Sequence, residues 1–173
     1  MSYDTASLDG SRAPLYFEDL SVGQRFSSRT HTITADEIKA FAARYDPQPF
    51  HLDEDAARHT LFKGLAASGW HTAALSMSLI VEALPIAGGA IGAGGELLWP
   101  RPTRPGDTLR VEIEVLELRP SASRPDRGTA IMCNTTLNQH GEAVQTFTVK
   151  MPLLRRSDRG GRGGRVLNDP SAG

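Results

Sequence analysis

The stretch SGWHTAALSMSLIVEAL, residues 68–84, decides how the rest of the chain has to be arranged. Ser68 is a candidate N-cap, because its hydroxyl can accept a hydrogen bond from a backbone N–H of the first turn. Behind it Trp70, Ala73, Ala74, Met77, Ile80, Val81 and Leu84 recur at helical spacing, and Leu75 and Leu79 carry the apolar surface further round. A helix that is apolar on most sides is a buried one. The pattern predicts a helix over Gly69–Leu84, ended by Pro85 and by the glycines at 88, 89, 92, 94 and 95, which open a flexible stretch. The segment is too short to span a bilayer, and His71, Thr72, Ser76, Ser78 and Glu82 interrupt it.

The chain downstream supplies what can bury such a helix. TLRVEIEVLEL, residues 108–118, alternates through Leu109, Val111, Ile113 and Val115 with polar residues between, as a half-buried strand does. It is led in by RPTRPGD, whose Pro-Gly-Asp favours a turn. GTAIMCNTTL (128–137) and AVQTFTVKMP (143–152) follow across NQHGE, with Gly141 available for a hairpin. About four antiparallel strands around one apolar helix give an α+β fold in which a sheet wraps the helix.

Upstream, a short strand is expected over about Gly23–Ile33, and then a helix with a strong start. Thr34 and Glu37 form a T-x-x-E capping box, with Ile33 and Ile38 positioned as a hydrophobic staple. Ile38, Phe41, Ala42 and Tyr45 share its apolar face, and Pro47 disfavours helical geometry at Asp46, so the helix stops there. A carboxylate at a helix C-terminus faces the negative end of the dipole, which biases Asp46 towards a raised pKa. YDPQPFHLDE, residues 45–54, then reads as a stiff turn, and a short helix is expected from Asp53 to about His59. The two prolines limit the backbone between Asp46 and His51, so the approach of carboxylate to imidazole is partly prepaid in entropy. That pair is what general acid–base chemistry near neutral pH requires, and the Ser68–Gly69 helix start offers backbone N–H groups to a developing oxyanion.

Bulk properties bound the rest. The chain has 173 residues, enough for one domain with a core, and 19 basic against 20 acidic residues leave a net charge of −1. Near-neutrality suggests neither nucleic acid nor a membrane surface as partner. RGGRGGR near the C-terminus is similar to RGG segments of RNA-binding proteins, but so short a run reads first as a solvated tail. A single cysteine, Cys133, leaves no intrachain disulfide and fits a reducing, cytoplasmic setting; the N-terminus lacks a signal-peptide pattern. The expected organisation is a flexible segment 1–14, one domain over 15–154 and a disordered Arg/Gly-rich tail 155–173. Neither nucleotide fingerprint nor H-E-x-x-H is present. His51, Asp53 and Asp55 alternate in HLDED, but helical spacing splays them, and their charges suit a helix N-terminus better than a metal. His31, His59 and His140 are read as surface residues, and Trp70 and His71 as packing. Arg101 and Arg104 are candidates for phosphate contact, with exposed turn charges as the plainer alternative.

The stretch FAARYDPQPFHLDEDAARHTLFKGLAASGWHTAAL resembles the MaoC-like dehydratase family, which includes (R)-specific enoyl-CoA hydratases; PTRPGDTL is similar to that family's later signature. The resemblance covers about residues 16–152. It implies a hot-dog fold, a curved antiparallel sheet wrapped around a long central helix, and a homodimer or assembly of dimers. It implies hydration of a trans-2-enoyl-CoA, or dehydration of a 3-hydroxyacyl-CoA, with the CoA thioester as substrate and with no metal or redox cofactor. Asp46 and His51 match the family's catalytic pair, and Gly69 matches the glycine whose N–H polarises the thioester carbonyl. Three positions depart from the family pattern: Tyr45 replaces a glycine, Gln48 an asparagine, and Ser68 a residue that is often histidine. Tyr45, Gln48, Pro49, Phe50 and Ser68 are therefore expected to contact substrate, with Tyr45 restricting the acyl group. The rivals are a hot-dog thioesterase and a non-catalytic acyl-CoA-binding or partner subunit.

Overall fold

A computed structural model of the chain describes residues 13–156. After a 3-10 turn at Phe17–Asp19 come strands β1 (Arg25–Ser27) and β2 (His31–Thr32) and helices α1 (Ala35–Tyr45), α2 (Pro49–Leu52), α3 (Glu54–Arg58) and α4 (Gly69–Ala83). Strands β3 (Gly95–Leu98), β4 (Thr108–Pro120), β5 (Arg127–Leu137) and β6 (Ala143–Leu154) follow. The sheet is antiparallel in the order β1-β4-β5-β6-β3, with β2 also paired to β4. This is the expected α+β arrangement, one long helix laid on a single antiparallel sheet.

The core forms where the helix and the strands present matching faces. Leu79, Ile80 and Ala83 of α4 pack against Val111, Ile113 and Val115 of β4, Ala130 and Met132 of β5, and Val149, Met151 and Leu153 of β6. Full burial of each large aliphatic side chain contributes roughly 1.5–3 kcal/mol. The β4 alternation runs cleanly to Val115, where a bulge before Glu117 shifts the register and leaves Leu116 exposed. Ser76 of α4 and Thr136 of β5 are buried but share a hydroxyl–hydroxyl bond of 2.7 Å, so these two hydroxyls are satisfied inside the helix–sheet interface.

The capping box on α1 is complete. Thr34 Oγ1 accepts from Glu37 N, and Glu37 Oε2 accepts from Thr34 N at 2.7 Å, while Ile33 and Ile38 share one buried cluster with Leu65 and Ala67.

Three expectations are corrected. The single strand over 23–33 is two short strands, because at Ser28 the side chain takes over a rung: its hydroxyl accepts from Val111 N at 2.8 Å. The glycine-rich run after α4 contains an edge strand, β3; a Cβ on Gly95 would lie 2.3 Å from Thr148 O, so glycine permits the close pairing with β6. The turn 47–52 contains a helical turn, α2, with Pro49 at its start. In addition α4 is not covered on all sides: Trp70 (62%), Met77 (41%) and Val81 (52%) are exposed. Arg155 and Arg156, placed in the tail by sequence, are tied to the 3-10 turn through Glu18 and Asp19. Residues 1–12 and 157–173, with the remainder of both expected tails, lie outside the described residues. Among the described residues no helix is long and apolar enough to cross a membrane.

Candidate active site

Two helix ends meet at one cavity. Asp46 is the C-cap of α1, and its non-helical backbone (φ −153°, ψ 69°) takes the chain off the helix axis. Ser68 is the N-cap of α4, as expected, and its hydroxyl works twice, accepting from Trp70 N at 3.2 Å and donating to Asp46 Oδ2 at 2.6 Å. Gln48 Nε2 donates to the other carboxylate oxygen, Oδ1, at 2.7 Å.

His51 is carried on α2 and is buried. Its Nδ1 lies 2.7 Å from Ala66 O; a carbonyl can only accept, so Nδ1 bears the hydrogen and Nε2 is left facing Asp46 Oδ2 at 3.4 Å. The ring is wedged edge-on against Phe50 (4.5 Å between centroids), which in turn packs on Phe62.

The charge of Asp46 departs from expectation. Its pKa is lowered, foremost by the Ser68 hydroxyl, with Gln48 and the adjacent His51 adding to it, and these donors outweigh burial. The helix-end dipole suggested the opposite sign; direct hydrogen bonds to the carboxylate prevail over it.

At the start of α4, Trp70 N–H is capped by Ser68 and Thr72 N–H bonds Ser68 O at 3.0 Å. The Gly69 N–H has no acceptor among the described residues. Glycine at this position has a steric cause: an added Cβ would sit 2.8 Å from the indole of Trp99. Trp99 is anchored by Nε1–H donating to Gln145 Oε1 at 3.0 Å and meets Trp70 edge to face.

These groups line a cavity of about 410 Å³. Asp46, Gln48, Phe50, His51, Ser68 and Gly69 all reach it, so six of the eight residues singled out by sequence converge there. Tyr45 and Pro49 do not line it. Tyr45 is 59% exposed, packed on Phe41 and under the Arg44 guanidinium, because its phase on α1 points it away from the turn that Asp46 makes inward. Phe62, Trp99 and Thr103 are cavity residues that sequence reasoning missed. The one available signal was Gly69 itself, a poor helix former inside the first turn, which marks a close approach by something else.

Of the other candidates, Arg101 alone reaches the cavity. Asp53 caps α3, its Oδ1 accepting from Ala56 N at 2.7 Å, so HLDED serves helix starts. His71 stacks flat on Phe41 (4.6 Å, 4°), with its pKa lowered by burial, which outweighs the opposing pull of Glu37. Arg101 lines the cavity with a half-exposed side chain near Glu142. Arg104 is turned away from it, donating to the carbonyls of Phe62 (2.5 Å), Gly64 (2.8 Å) and Leu65 (3.1 Å).

Chemically the cavity holds an ionised carboxylate and an imidazole nitrogen side by side, a backbone N–H at a helix N-terminus, and aromatic walls. A family model described as a MaoC like domain matches residues 19–131. The crystal structure of a MaoC-like dehydratase from Rhodospirillum rubrum is similar with a TM-score of 0.81 at 61% sequence identity, covering 82% of this chain and 98% of that one. The unliganded R-hydratase PhaJ1 from Pseudomonas aeruginosa is similar with a TM-score of 0.68 at 33% identity, over 83% of this chain and 88% of that one. Over 144 residues the chain is 31% identical to the 3-hydroxybutyryl-CoA dehydratase of Methylorubrum extorquens, 83% of this chain and 88% of the relative.

Proposed function

The chain belongs to the MaoC-like domain family and has its hot-dog fold, and from that premise we propose that it catalyses the reversible addition of water to a trans-2-enoyl-CoA, giving a 3-hydroxyacyl-CoA. The observation that carries this is that Asp46, His51 and Gly69 line one cavity, with His51 Nε2 3.4 Å from Asp46 Oδ2 and the Gly69 N–H bonded to no acceptor among the described residues.

In the hydration direction the Asp46–His51 pair orients a water and removes one of its protons while the oxygen bonds to the β-carbon. The carbon–carbon π pair shifts to the α-carbon side, and negative charge builds on the thioester oxygen. Gly69 N–H, aligned with the α4 dipole, holds that oxygen. A proton from the pair then goes to the α-carbon, so water is added across the double bond with no net change in oxidation level. The step as written needs neither metal nor redox cofactor. Phe50, Phe62 and Trp99 supply apolar wall for the acyl group, and Arg101 is placed to meet an anionic group of the CoA carrier. The exposed stripe Trp70, Met77 and Val81, with β3 at the sheet edge, supports assembly as a homodimer.

The test is loss of the conjugated enoyl absorbance when the protein meets crotonyl-CoA and branched enoyl-CoAs, with free thiol followed in parallel. Loss of absorbance without free thiol is expected. Release of CoA thiol as the primary event would replace the proposal with a thioesterase, and binding without turnover would make the chain a non-catalytic member.

A further inference from the structure

Arg104 is the cation that sequence offers to a phosphate and that the fold spends on its own backbone. Its guanidinium gathers three carbonyls, those of Phe62, Gly64 and Leu65, at 2.5 to 3.1 Å. These belong to the connection between α3 and α4, where Lys63 has a positive φ of 53° and Gly64 one of 151°; its N–H groups are bonded, Lys63 to Thr60 O, Gly64 to Ala57 O and Ala66 to Phe50 O, and Arg104 takes up the carbonyl side. Next door, Ala67 N–H donates to Thr103 O at 2.9 Å, which stitches the same connection to the residue before Arg104. Arg104 is itself fixed, since its backbone N–H donates at 2.7 Å to Asp107 Oδ2, and Asp107 is buried.

The carbonyl following this gathered set is that of Ala66, and it accepts the His51 Nδ1 hydrogen at 2.7 Å. Phe62, whose carbonyl Arg104 also holds, packs by its ring on Phe50 and lines the cavity beside His51. We infer that Arg104 is a positioning residue for His51: by clamping the Phe62, Gly64 and Leu65 carbonyls it sets the Ala66 carbonyl that keeps the hydrogen on Nδ1 and leaves Nε2 facing Asp46. A planar fork of five donors can serve three divergent carbonyls at once, whereas an ammonium at the end of a flexible stem cannot hold the same set in place. The catalytic consequence rests on the acid–base role proposed above for Asp46 and His51; the effect on His51 itself does not.

The experiment therefore reads the imidazole directly. Long-range ¹⁵N–¹H correlations of His51 in the wild type are expected to show the hydrogen on Nδ1. In Arg104→Ala the Nε2–H form should become populated, and added guanidinium ion, below denaturing concentration, should restore the wild-type pattern. On an enoyl-CoA the same variant should lose kcat by about 10²-fold, the scale of a misplaced catalytic group, with KM changed far less. Arg104→Lys, which keeps the charge but not the fork, should lie between and serves as the test if the alanine variant does not fold. Unchanged His51 correlations in a folded Arg104 variant would overturn the inference whatever the stability loss. If the correlations shift while the wild type has no hydratase activity, the positioning role stands and the proposed reaction falls.

Discussion

At the scale of single residues, the Ser68 hydroxyl governs the charge of Asp46, and it does so while capping α4. The folded pKa of Asp46 is held below the ordinary aspartate value of about 3.9. Its stabilising contribution is thus fully present above that value and lost as pH falls through the lower folded one. Any acid limb of kcat/KM that belongs to Asp46 lies below the usual carboxylate range. Ser68→Ala removes the largest cause of the shift, so the limb should move to higher pH, and loss of the cap should cost about 0.5–2 kcal/mol in thermal unfolding. A pH–rate profile unchanged by Ser68→Ala would contradict this electrostatic account. Asp46, His51, Ser68 and Gly69 were legible in the chain because helix punctuation fixes where they sit: a proline after Asp46, an N-cap before Gly69. Tyr45 does not line the cavity because adjacency in sequence is not adjacency in space at a helix end, where one residue keeps helical phase and the next departs from it. Phe62, Trp99 and Thr103 were illegible because connections distant in sequence bring them to the cavity.

Among the elements, α4 and the segment after β3 meet closely at Gly69 and Trp99. Gly69→Ala would gain at most about 1 kcal/mol of helix propensity. It would also force a Cβ to 2.8 Å from the Trp99 indole, and overpacking of that kind costs about 1–3 kcal/mol. The net prediction is a lower Tm, altered tryptophan fluorescence and slower hydration, as the Gly69 N–H and the Trp99 wall are displaced together. A variant as stable and as active as wild type would show that the contact yields freely. The elements that sequence revealed, α1, α4 and β4 to β6, are those whose caps and periodicity are local. The break between β1 and β2 comes from a side-chain rung at Ser28, and β3 from the close approach that Gly95 allows. Both depend on partner strands far along the chain, where local pattern carries no trace of them.

For the whole molecule, the larger of the two buried clusters is the helix–sheet interface of α4. Leu79 is fully buried at its centre, so Leu79→Ala should cost about 2–5 kcal/mol, a large share of the roughly 5–15 kcal/mol typical of a domain. Calorimetry or denaturant unfolding would measure it, and a loss under 1 kcal/mol would place the core elsewhere. The opposite face of α4 carries the exposed Met77 and Val81, and the proposed homodimer would cover them. Light scattering after size exclusion should give a dimer mass for the wild type and a shift towards monomer for Val81→Glu; a monomeric wild type would remove the dimer from the account. What the fold achieves as a unit is to bring the end of α1, the turn of α2 and the start of α4 to a single cavity lined by residues 46, 51 and 69. The most direct test compares kcat/KM for enoyl-CoA hydration by the wild type, Asp46→Asn and His51→Ala, each verified as folded. Each variant should fall by about 10²–10⁴-fold, the contribution of a general acid–base group; wild-type rates in both would contradict the account.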